Sequence, residues 1–564
     1  MFIRKFGLIG RTYRHLNRYR QILTILFKYG FGDLVDTLKI EQYLEVGLQM
    51  ISRKRKEQVE KLTRAERVRM ALEELGPTFI KLGQILSTRP DLISAEFIQE
   101  LSRLQDHVPP FPYPEVKQII ESELGTALGE IFEHFKETPL AAASIGQVHR
   151  ARLRNGEEVV SKVQRPGIQK IIEVDFEIML HLASLMERHL EEVEFHRPTK
   201  IVEEFAHTME RELNYTIEAS HMEHFARQFM GDQNIYVPKV YRETTTSRVL
   251  TMEYVDGIKA SEIDRLQLAS LDQKEIAYRG ADLILKQIFI YGFFHADPHP
   301  GNIFILPNNV ICYLDFGMMG RIDRQTRENF AGLVMSIVRR DEEKTADALL
   351  RLTLWEDEPE RSTLEKDLAE FMDLHFYRPL KELELGKLLQ HLLEMASKHR
   401  LRVPPDLFLM LKALSAAEAL GRMLDPDFDI TTHAAPFIQR IQWDRLNPRR
   451  IAGDMFDIGA EIVHLLKEIP RELREILKQA RQGKVKMEFE HGGLEPMLAT
   501  HDRISNRVAF AIVLGSLVIG SSLIVLADIP PKWYGIPVIG LAGFLVAGVM
   551  ALWLLVSILR HGKM

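Results

Sequence analysis

Apolar residues recur at three- and four-residue spacing through most of this chain, the period of helices that bury one face. Residues 40–135 keep that spacing with few glycines, which predicts a run of helices. Pro109, Pro110, Pro112 and Pro114 interrupt it and predict a turn. Between Pro139 and Lys162 the texture changes to short β-like runs. SIGQVHRARL and EEVVSKVQ flank Asn155-Gly156, a dipeptide whose backbone suits a tight hairpin. Helical spacing returns from Ile168 to Met230, and VPKVYRETTTSRVLTMEYV then predicts two more strands. From Asp264 onward helices dominate, apart from Asn302–Leu306 and Val310–Leu314, which flank Pro307-Asn308-Asn309. KVKMEFEH alternates and predicts a last strand before the apolar C-terminus. Neither an internal repeat nor a low-complexity tract is visible.

Two stretches carry no charge at all: Val508 to Ala527, twenty residues, and Ile536 to Leu559, twenty-four. A hydrocarbon slab about 30 Å thick needs roughly 20 apolar helical residues, so each is long enough to span. The link DIPPKWYG holds two prolines that stop a helix and a Trp-Tyr pair suited to the headgroup level. Arg503 and Arg507 precede the first stretch, and Arg560 and Lys563 follow the second. The positive-inside bias therefore puts both outer flanks in the cytoplasm and predicts a transmembrane hairpin. Small residues at Ala511 and Gly515, and at Gly543, Ala547 and Ala551, are spaced for close helix approach.

Composition narrows the class. The chain has 564 residues, 46% hydrophobic and 27% charged, the balance of a folded soluble body with several domains. Its mean hydropathy of -0.11 excludes a polytopic transporter. Seventy-three basic against seventy-nine acidic side chains give a net charge of -6, so no global basic field exists to hold nucleic acid. The single cysteine, Cys312, excludes an intramolecular disulfide and a Cys-rich zinc site and fits a reducing compartment. At the N-terminus, Arg4, Lys5, Arg11, Arg14, Arg18 and Arg20 precede the first acidic residue, Asp33. They interrupt any signal-peptide core, and the segment lacks the serines of a transit peptide. A basic amphipathic helix lying on an anionic leaflet is expected.

Two strands, a helical insert, two strands and a helical second half is the order of a two-lobed kinase, and the residues of phosphoryl transfer occur in matching order. That chemistry needs phosphates held, metal bridged and charge neutralised. Lys162, at the end of a strand, would put an ammonium on the α- and β-phosphates. Glu212, on the second long helix of the insert, would pair with Lys162. Asp297 in HADPHPGN stands five positions before Asn302, the kinase catalytic-loop interval. Asp315 in LDFG would ligate Mg²⁺ together with Asn302. Singly, each is a common surface residue; the ordered set is not.

These motifs resemble those of the AarF/UbiB family of atypical kinases, which supports ubiquinone and other prenylquinone metabolism. KLGQ (Lys81, Gly83, Gln84) is similar to the family's signature helix, and LQDHVPP, with Asp106, to its second extension motif. PLAAASIGQVHRARL resembles the Ala-rich nucleotide loop, ELNYTIEAS holds Glu212 and, six residues on, Glu218, and HADPHPGN and YLDFG complete the site. LRVPPDLFLMLKAL and LDPDFD resemble the C-terminal helices. The resemblance implies ATP and Mg²⁺ as cofactors. It implies nucleotide contacts from Leu140, Ala141, Ala142, Ala143, Ser144, Ile145, Gly146, Gln147 and Val148, from Lys162, and from Glu253 and Val255. It implies a regulatory role for Lys81 and Gln84, three apart on one helix face, where the signature helix covers the place a protein kinase would admit its peptide.

Departures from ordinary kinases point the same way. Ala141-Ala142-Ala143-Ser144 replaces a Gly-rich loop, so Cβ atoms restrict the backbone over the phosphates. Ala296 replaces the arginine that answers activation-loop phosphorylation, and no APE motif follows Asp315 at the usual remove. His295 and His299, flanking Asp297, are expected to shape the loop by hydrogen bonds, and Cys312 to be a buried strand residue.

The expected architecture is α+β: a bilobal protein-kinase-like fold with an N-terminal helical extension and the C-terminal transmembrane hairpin. The segments are a basic N-terminal stretch (1–38), the helical extension (39–135), an N-lobe with the Ala-rich loop and helical insert (136–256), a C-lobe (257–480), a linker (481–507) and two membrane helices (508–559). The expected function is that of a membrane-anchored atypical kinase or ATPase supporting ubiquinone biosynthesis by ATP hydrolysis or small-molecule phosphorylation. Its expected partners are the bilayer, hydrophobic quinone precursors and the quinone biosynthetic enzymes, not nucleic acid. Its expected place is a bacterial inner membrane, with the catalytic part cytoplasmic. The alternatives are a protein kinase acting in trans and a nucleotide- or lipid-binding scaffold.

Overall fold

A computed structural model describes residues 13–32, 62–89, 92–104, 109–189, 197–355, 357, 359–376, 385–445, 494–527, 529–533 and 536–561. The chain divides into two units, Met1–Gly453 and Asp454–Met564. Asp106, residues 484–491 with the expected last strand, and the boundary expected at 480 lie outside the described residues.

The first helix, α1 (Tyr13–Lys28), is amphipathic as expected, but its apolar stripe meets protein. Tyr19, Ile22, Leu23 and Ile25 are buried in one core with residues of α2 (Arg64–Leu75), α3 (Pro77–Leu86) and α6 (Ile168–His189). Arg18 grips the fully buried Asp175 at 2.7 and 3.0 Å and donates to the Leu75 carbonyl at 2.7 Å. The leaflet-lying reading is thereby corrected for residues 13–32. A stripe of helical period serves lipid or protein equally, and here a carboxylate that cannot stay buried alone chose protein.

Thr63 and Glu66 close a reciprocal cap on α2, the Thr63 hydroxyl accepting from the Glu66 N–H at 3.2 Å. Gly76, at φ +98°, then lets α3 restart at Pro77. A Cβ at Gly83 would meet Leu72 at 2.8 Å. Helices α4 (Ala95–Leu101) and α5 (Tyr113–Leu124) complete the extension.

Strands β1 (Phe132–Phe135), β2 (Ala141–Ala142), β3 (Gly146–Leu153) and β4 (Glu158–Gln164) open an antiparallel sheet. Asn155-Gly156 makes the expected β3–β4 turn, with Gly156 at φ +89°. The chain leaves through α6, α7 (Pro198–Glu212), α8 (Tyr215–Gln228) and β5 (Ile235–Tyr236), then returns as β6 (Val249–Glu253) beside β4. The order is β1-β3-β4-β6, with β2 on β3. Alternation along β4 decides the site: Val159 and Val163 pack in a core with Val116, Ile119 and Ile120 of α5, while Val160 and Lys162 face the opposite way.

Of the two strands expected over VPKVYRETTTSRVLTMEYV, only β6 is extensive. Upstream, Val240 makes one isolated bridge to Met252 and Arg242–Thr244 forms a 3₁₀ turn. The Thr245 hydroxyl donates to the Tyr241 carbonyl at 2.8 Å and the Thr246 hydroxyl accepts from Val249, local bonds that compete with a ladder.

The second half contains β7 (Ile258–Lys259), α9 (Gln273–Leu285), a π-helical turn (Lys286–Tyr291), β8 (Phe293–His295), β9 (Ile303–Leu306), β10 (Val310–Tyr313) and β11 (Met319–Arg321). The expected pair β9–β10 is antiparallel and central in the sheet β5-β10-β9-β7. Helices α10 (Arg324–Val338), α11 (Glu342–Leu352), α12 (Arg361–Phe376), α13 (Leu385–Lys398), α14 (Pro405–Leu424) and α15 (Ile430–Arg445) follow, with α14 packed on α9 and α13.

In the second unit, α16 (Leu494–Leu526) and α17 (Val538–His561) are joined by the short ribbon β12 (Lys532–Trp533) and β13 (Ile536–Pro537). Among the described residues, one helix, Val508–Leu526 with hydropathy 2.5, is by length and composition long and apolar enough to cross a membrane. The apolar stretch of described residues in α17, Val538–Leu554, is shorter than a span. Close approach uses Gly543 and the buried Ala547, with Gly543 against Ser521. Ala511, Gly515 and Ala551 are exposed instead. The side chains of Arg503, Arg507, Arg560 and Lys563 lie outside the described set.

Candidate active site

Lys162 donates from Nζ to both carboxylate oxygens of Glu218, at 2.8 and 3.0 Å. This corrects the expected pairing with Glu212. The reason is a helix break: α7 ends at Glu212, and Asn214 caps α8 by accepting the Thr216 N–H at 3.1 Å. The restart puts Glu218 in the first turn of α8, opposite β4. Glu212 turns to Lys81 of α3, with Nζ 3.3 Å from Oε2. The helical extension thus supplies a second lysine–glutamate pair beside the first. Gln84, expected to project with Lys81, donates to the Leu104 carbonyl at 3.2 Å.

Asp315 lies between these charges. Burial opposes its ionisation, but Lys162, the Gly317 N–H at 2.9 Å and Lys81 hold its carboxyl below the usual aspartate range. Lys162 shows the converse: burial would lower it, yet Glu218 and then Asp315 hold its ammonium above the ordinary lysine value. Tyr215 lies beneath, its ring 5.1 Å from Lys162 Nζ, and burial pushes its phenol up.

The HADPHPGN loop is set by His295. Its Nδ1 accepts the Asp297 backbone N–H at 3.2 Å, so Nε2 carries the proton and donates to the Asp315 carbonyl at 2.5 Å. Burial lowers the His295 pKa, keeping the ring neutral as both bonds require. His299 Nδ1 accepts from Gly301, and Asn302 is fixed by its N–H to the His299 carbonyl at 2.9 Å and by accepting from Leu314 at 3.1 Å. Both histidines shape the loop, as expected. Asp297 is partly exposed and pairs with Lys412 of α14 at 3.0 Å. Cys312 is fully buried in β10, its thiol pushed up to about 12 by burial, so it is no nucleophile.

The Ala-rich stretch forms a hairpin over this cluster. Ala141 and Ala142 pair with Val148 and Gln147, and the turn closes with the Ala143 N–H on the Gly146 carbonyl at 2.8 Å. A Cβ at Gly146 would meet the Val163 carbonyl at 2.7 Å and the Tyr215 hydroxyl, so this position alone in the turn keeps glycine. Leu140 and Ala141 are exposed, while Ser144 and Ile145 are buried. Two of the expected nucleotide contacts are engaged elsewhere. The Gln147 amide accepts from the Phe111 N–H at 2.9 Å and donates to its carbonyl at 3.2 Å. The Glu253 carboxylate accepts from the Tyr236 hydroxyl and the Lys239 N–H. The backbone there is engaged too: the Glu253 N–H donates to the Lys239 carbonyl at 2.9 Å and the Tyr254 N–H to the Glu158 carbonyl at 3.0 Å.

The hydroxyls of Ser144 and Tyr215 are buried without a hydrogen-bond partner among the described residues. Such orphans fit an absent polar ligand beneath the hairpin. No group of three or more His, Cys, Asp or Glu side chains that could hold a metal occurs among the described residues. A magnesium ion on Asn302 and Asp315 would therefore complete its shell with phosphate and water oxygens, its usual preference. Glu218 had a weak signal, a capping Asn-Tyr-Thr just after Glu212. Tyr215 and Lys412 had no signal in their own surroundings.

Three family models match the chain: the ABC1 atypical kinase-like domain over residues 103–349, the UbiB helical domain over 368–429, and the ABC1/UbiB kinase-like C-terminal domain over 492–560. The probable protein kinase UbiB of Xanthomonas campestris pv. campestris is 33% identical over 533 residues, covering 92% of this chain and 94% of that one. An uncharacterized protein in the hydrogenase 1 5' region of Clostridium pasteurianum is 30% identical over 548 residues, 97% of this chain and 99% of that one. Among solved structures, the Rv3197–erythromycin complex from Mycobacterium tuberculosis matches with a TM-score of 0.44 and 24% identity, over 66% of this chain and 98% of that one.

Proposed function

This chain belongs to the ABC1/UbiB family of atypical kinase-like proteins, and from that premise we propose that it is a membrane-anchored, Mg-ATP-dependent kinase or ATPase supporting ubiquinone biosynthesis. The observation that carries the reading is the Lys162–Glu218 pair beside Asp315, roofed by the Ala-rich hairpin and two orphaned hydroxyls. Lys162 holds the α- and β-phosphates, and Glu218 fixes the Lys162 rotamer. Asn302 and Asp315 hold the metal, which neutralises phosphate charge. Asp297 accepts the proton of the attacking hydroxyl or water. Ser144 and Tyr215 donate to the triphosphate. Lys81 and Glu212 regulate access from the extension side.

The helix Val508–Leu526, with its partner α17, anchors the protein in a bacterial inner membrane, the catalytic unit facing the cytoplasm and hydrophobic quinone precursors within reach. The transmembrane hairpin belongs to this proposal. ATP turnover or phosphorylation of a small molecule is favoured over a peptide acceptor, because the extension's Lys81 is tied to Glu212 and shares the field of Asp315.

The test is ATP hydrolysis by the full-length protein in anionic liposomes, with and without a phenolic quinone-precursor mimic, beside Asp297→Asn. Magnesium-dependent turnover that the mimic stimulates and that Asp297→Asn lowers by about 100-fold or more, to a residual measurable rate, is expected. Equal turnover in the two proteins, or phosphate delivered to added polypeptides instead, overturns the reading.

A further inference from the structure

The cleft holds a third lysine that the roles assigned so far do not use. Lys412 lies on α14, in the matched helical segment and outside the matched kinase-like one. Its ammonium is 3.0 Å from Asp297 Oδ1, and its charge also reaches His295. Its neighbours Met410, Ala413 and Leu414 are buried, so the helix that presents it is fixed in the core. As an isolated surface pair, such a contact is worth about 0–1 kcal/mol and needs no function. Its location argues otherwise.

Four carboxylates face three ammoniums here: Glu212, Glu218, Asp297 and Asp315 against Lys81, Lys162 and Lys412. Two ammoniums are tied to helical glutamates, their side chains 15% and 20% exposed. Lys412 is more open, at 33%, and its partner is the aspartate that the proposed reaction protonates.

We propose that Lys412 is a catalytic cation that takes up charge on the transferred phosphoryl group, an inference that rests on reading the cleft as a phosphoryl-transfer site. In that step the nucleophile oxygen bonds to the γ-phosphorus and its proton passes to the Asp297 carboxylate. The bond from γ-phosphorus to the bridging oxygen breaks, and its electron pair leaves on ADP. Protonation makes Asp297 neutral, so Lys412 loses its counter-ion as negative charge is redistributed over the phosphoryl oxygens and the leaving group. The positive charge is released when it is needed, the timing that distinguishes transition-state from ground-state stabilisation.

The experiment measures single-turnover and steady-state ATP hydrolysis by the full-length protein in anionic vesicles. Lys412→Met should lower kcat about 100-fold with the KM for ATP changed less than about threefold, and Lys412→Arg should recover roughly tenfold of the loss. In an Asp297→Asn background, a lysine that only positions Asp297 has nothing left to do. A phosphoryl-binding lysine still costs at least about fivefold when removed there. Thermal melts check folding, and Lys412→Gln replaces the Met variant should that one unfold. A kcat within about twofold of wild type, or no further loss in the Asp297→Asn background, overturns the role of Lys412 alone. Wild-type turnover indifferent to Asp297→Asn overturns the phosphoryl-transfer reading, and this inference with it.

Discussion

Glu218→Gln tests the pairing that organises the site. The substitution keeps shape and one acceptor but leaves the Lys162 ammonium without its carboxylate. Glu218 is 7% exposed and Lys162 20%, so water compensates little. Breaking a buried pair on one side costs about 3–5 kcal/mol. The remaining field of Asp315 and the amide oxygen offset part of this, leaving a loss of about 2–3 kcal/mol. At roughly 2–4 °C per kcal/mol for a domain of this order, the melting temperature should fall by about 4–12 °C. Adding Lys162→Met removes the stranded charge and should restore much of the loss, because a neutral pair then leaves no buried charge unpaired.

The assay is thermal and urea unfolding of the four proteins of the Lys162/Glu218 cycle, with a parallel cycle for Lys162/Glu212. A coupling of about 2 kcal/mol is expected in the first and under about 0.5 kcal/mol in the second. Coupling to Glu212 and none to Glu218 would refute the helix-break argument and return the site to its simplest sequence reading.

Three more outcomes are expected. Lys81→Ala should change nucleotide affinity or turnover with the fold intact, because Lys81 shares the field of Asp315; unchanged values in both count against regulation from the extension. Gly146→Ala should destabilise by about 1–3 kcal/mol through the Val163 carbonyl, read as a melting shift, and a neutral result would sink the close-packing account of the hairpin. Stability should fall as pH drops below the ordinary histidine value of 6.5, since the unfolded chain then binds a proton that buried His295 refuses. His295→Gln should flatten part of that slope between about pH 8 and pH 5.5, and parallel slopes would refute the neutral-ring assignment.

What could be read in advance follows from range. Asp297, Asn302 and Asp315 belong to short loops between strands, where spacing along the chain nearly determines spacing in the fold, and the strand pair around Pro307 emerged as expected. The choice between Glu212 and Glu218 turned on one capping asparagine, a feature weaker than the helical period around it. Helix α1 was misread because amphipathicity does not name its partner, and only Asp175, far along the chain, reveals it. Lys412 was invisible for the same reason, since α14 reaches the catalytic-type loop by tertiary packing and not by sequence proximity.

The three lysines of the cleft arrive from three layers: Lys162 from the sheet, Lys81 from the extension before it, and Lys412 from helices after the kinase-like segment. In a two-lobed kinase the lobes part as a hinge and a peptide enters at the edge. Here Lys81 is tied to Glu212 and Lys412 to Asp297, each across elements remote in sequence. Parting Lys81 from Glu212, whose side chains are 15% and 12% exposed, would cost of order 1–3 kcal/mol, comparable with typical coupling between sites, whereas the more open Lys412–Asp297 pair is worth about 0–1 kcal/mol. An acceptor that had to part Lys81 from Glu212 would meet that cost before any chemistry began. On the function proposed above, water or a small phenol would not, and ligands that shift α3 or α14 would gain an electrostatic handle on the nucleotide. On that proposal, the placement of the charges favours small substrates over peptides.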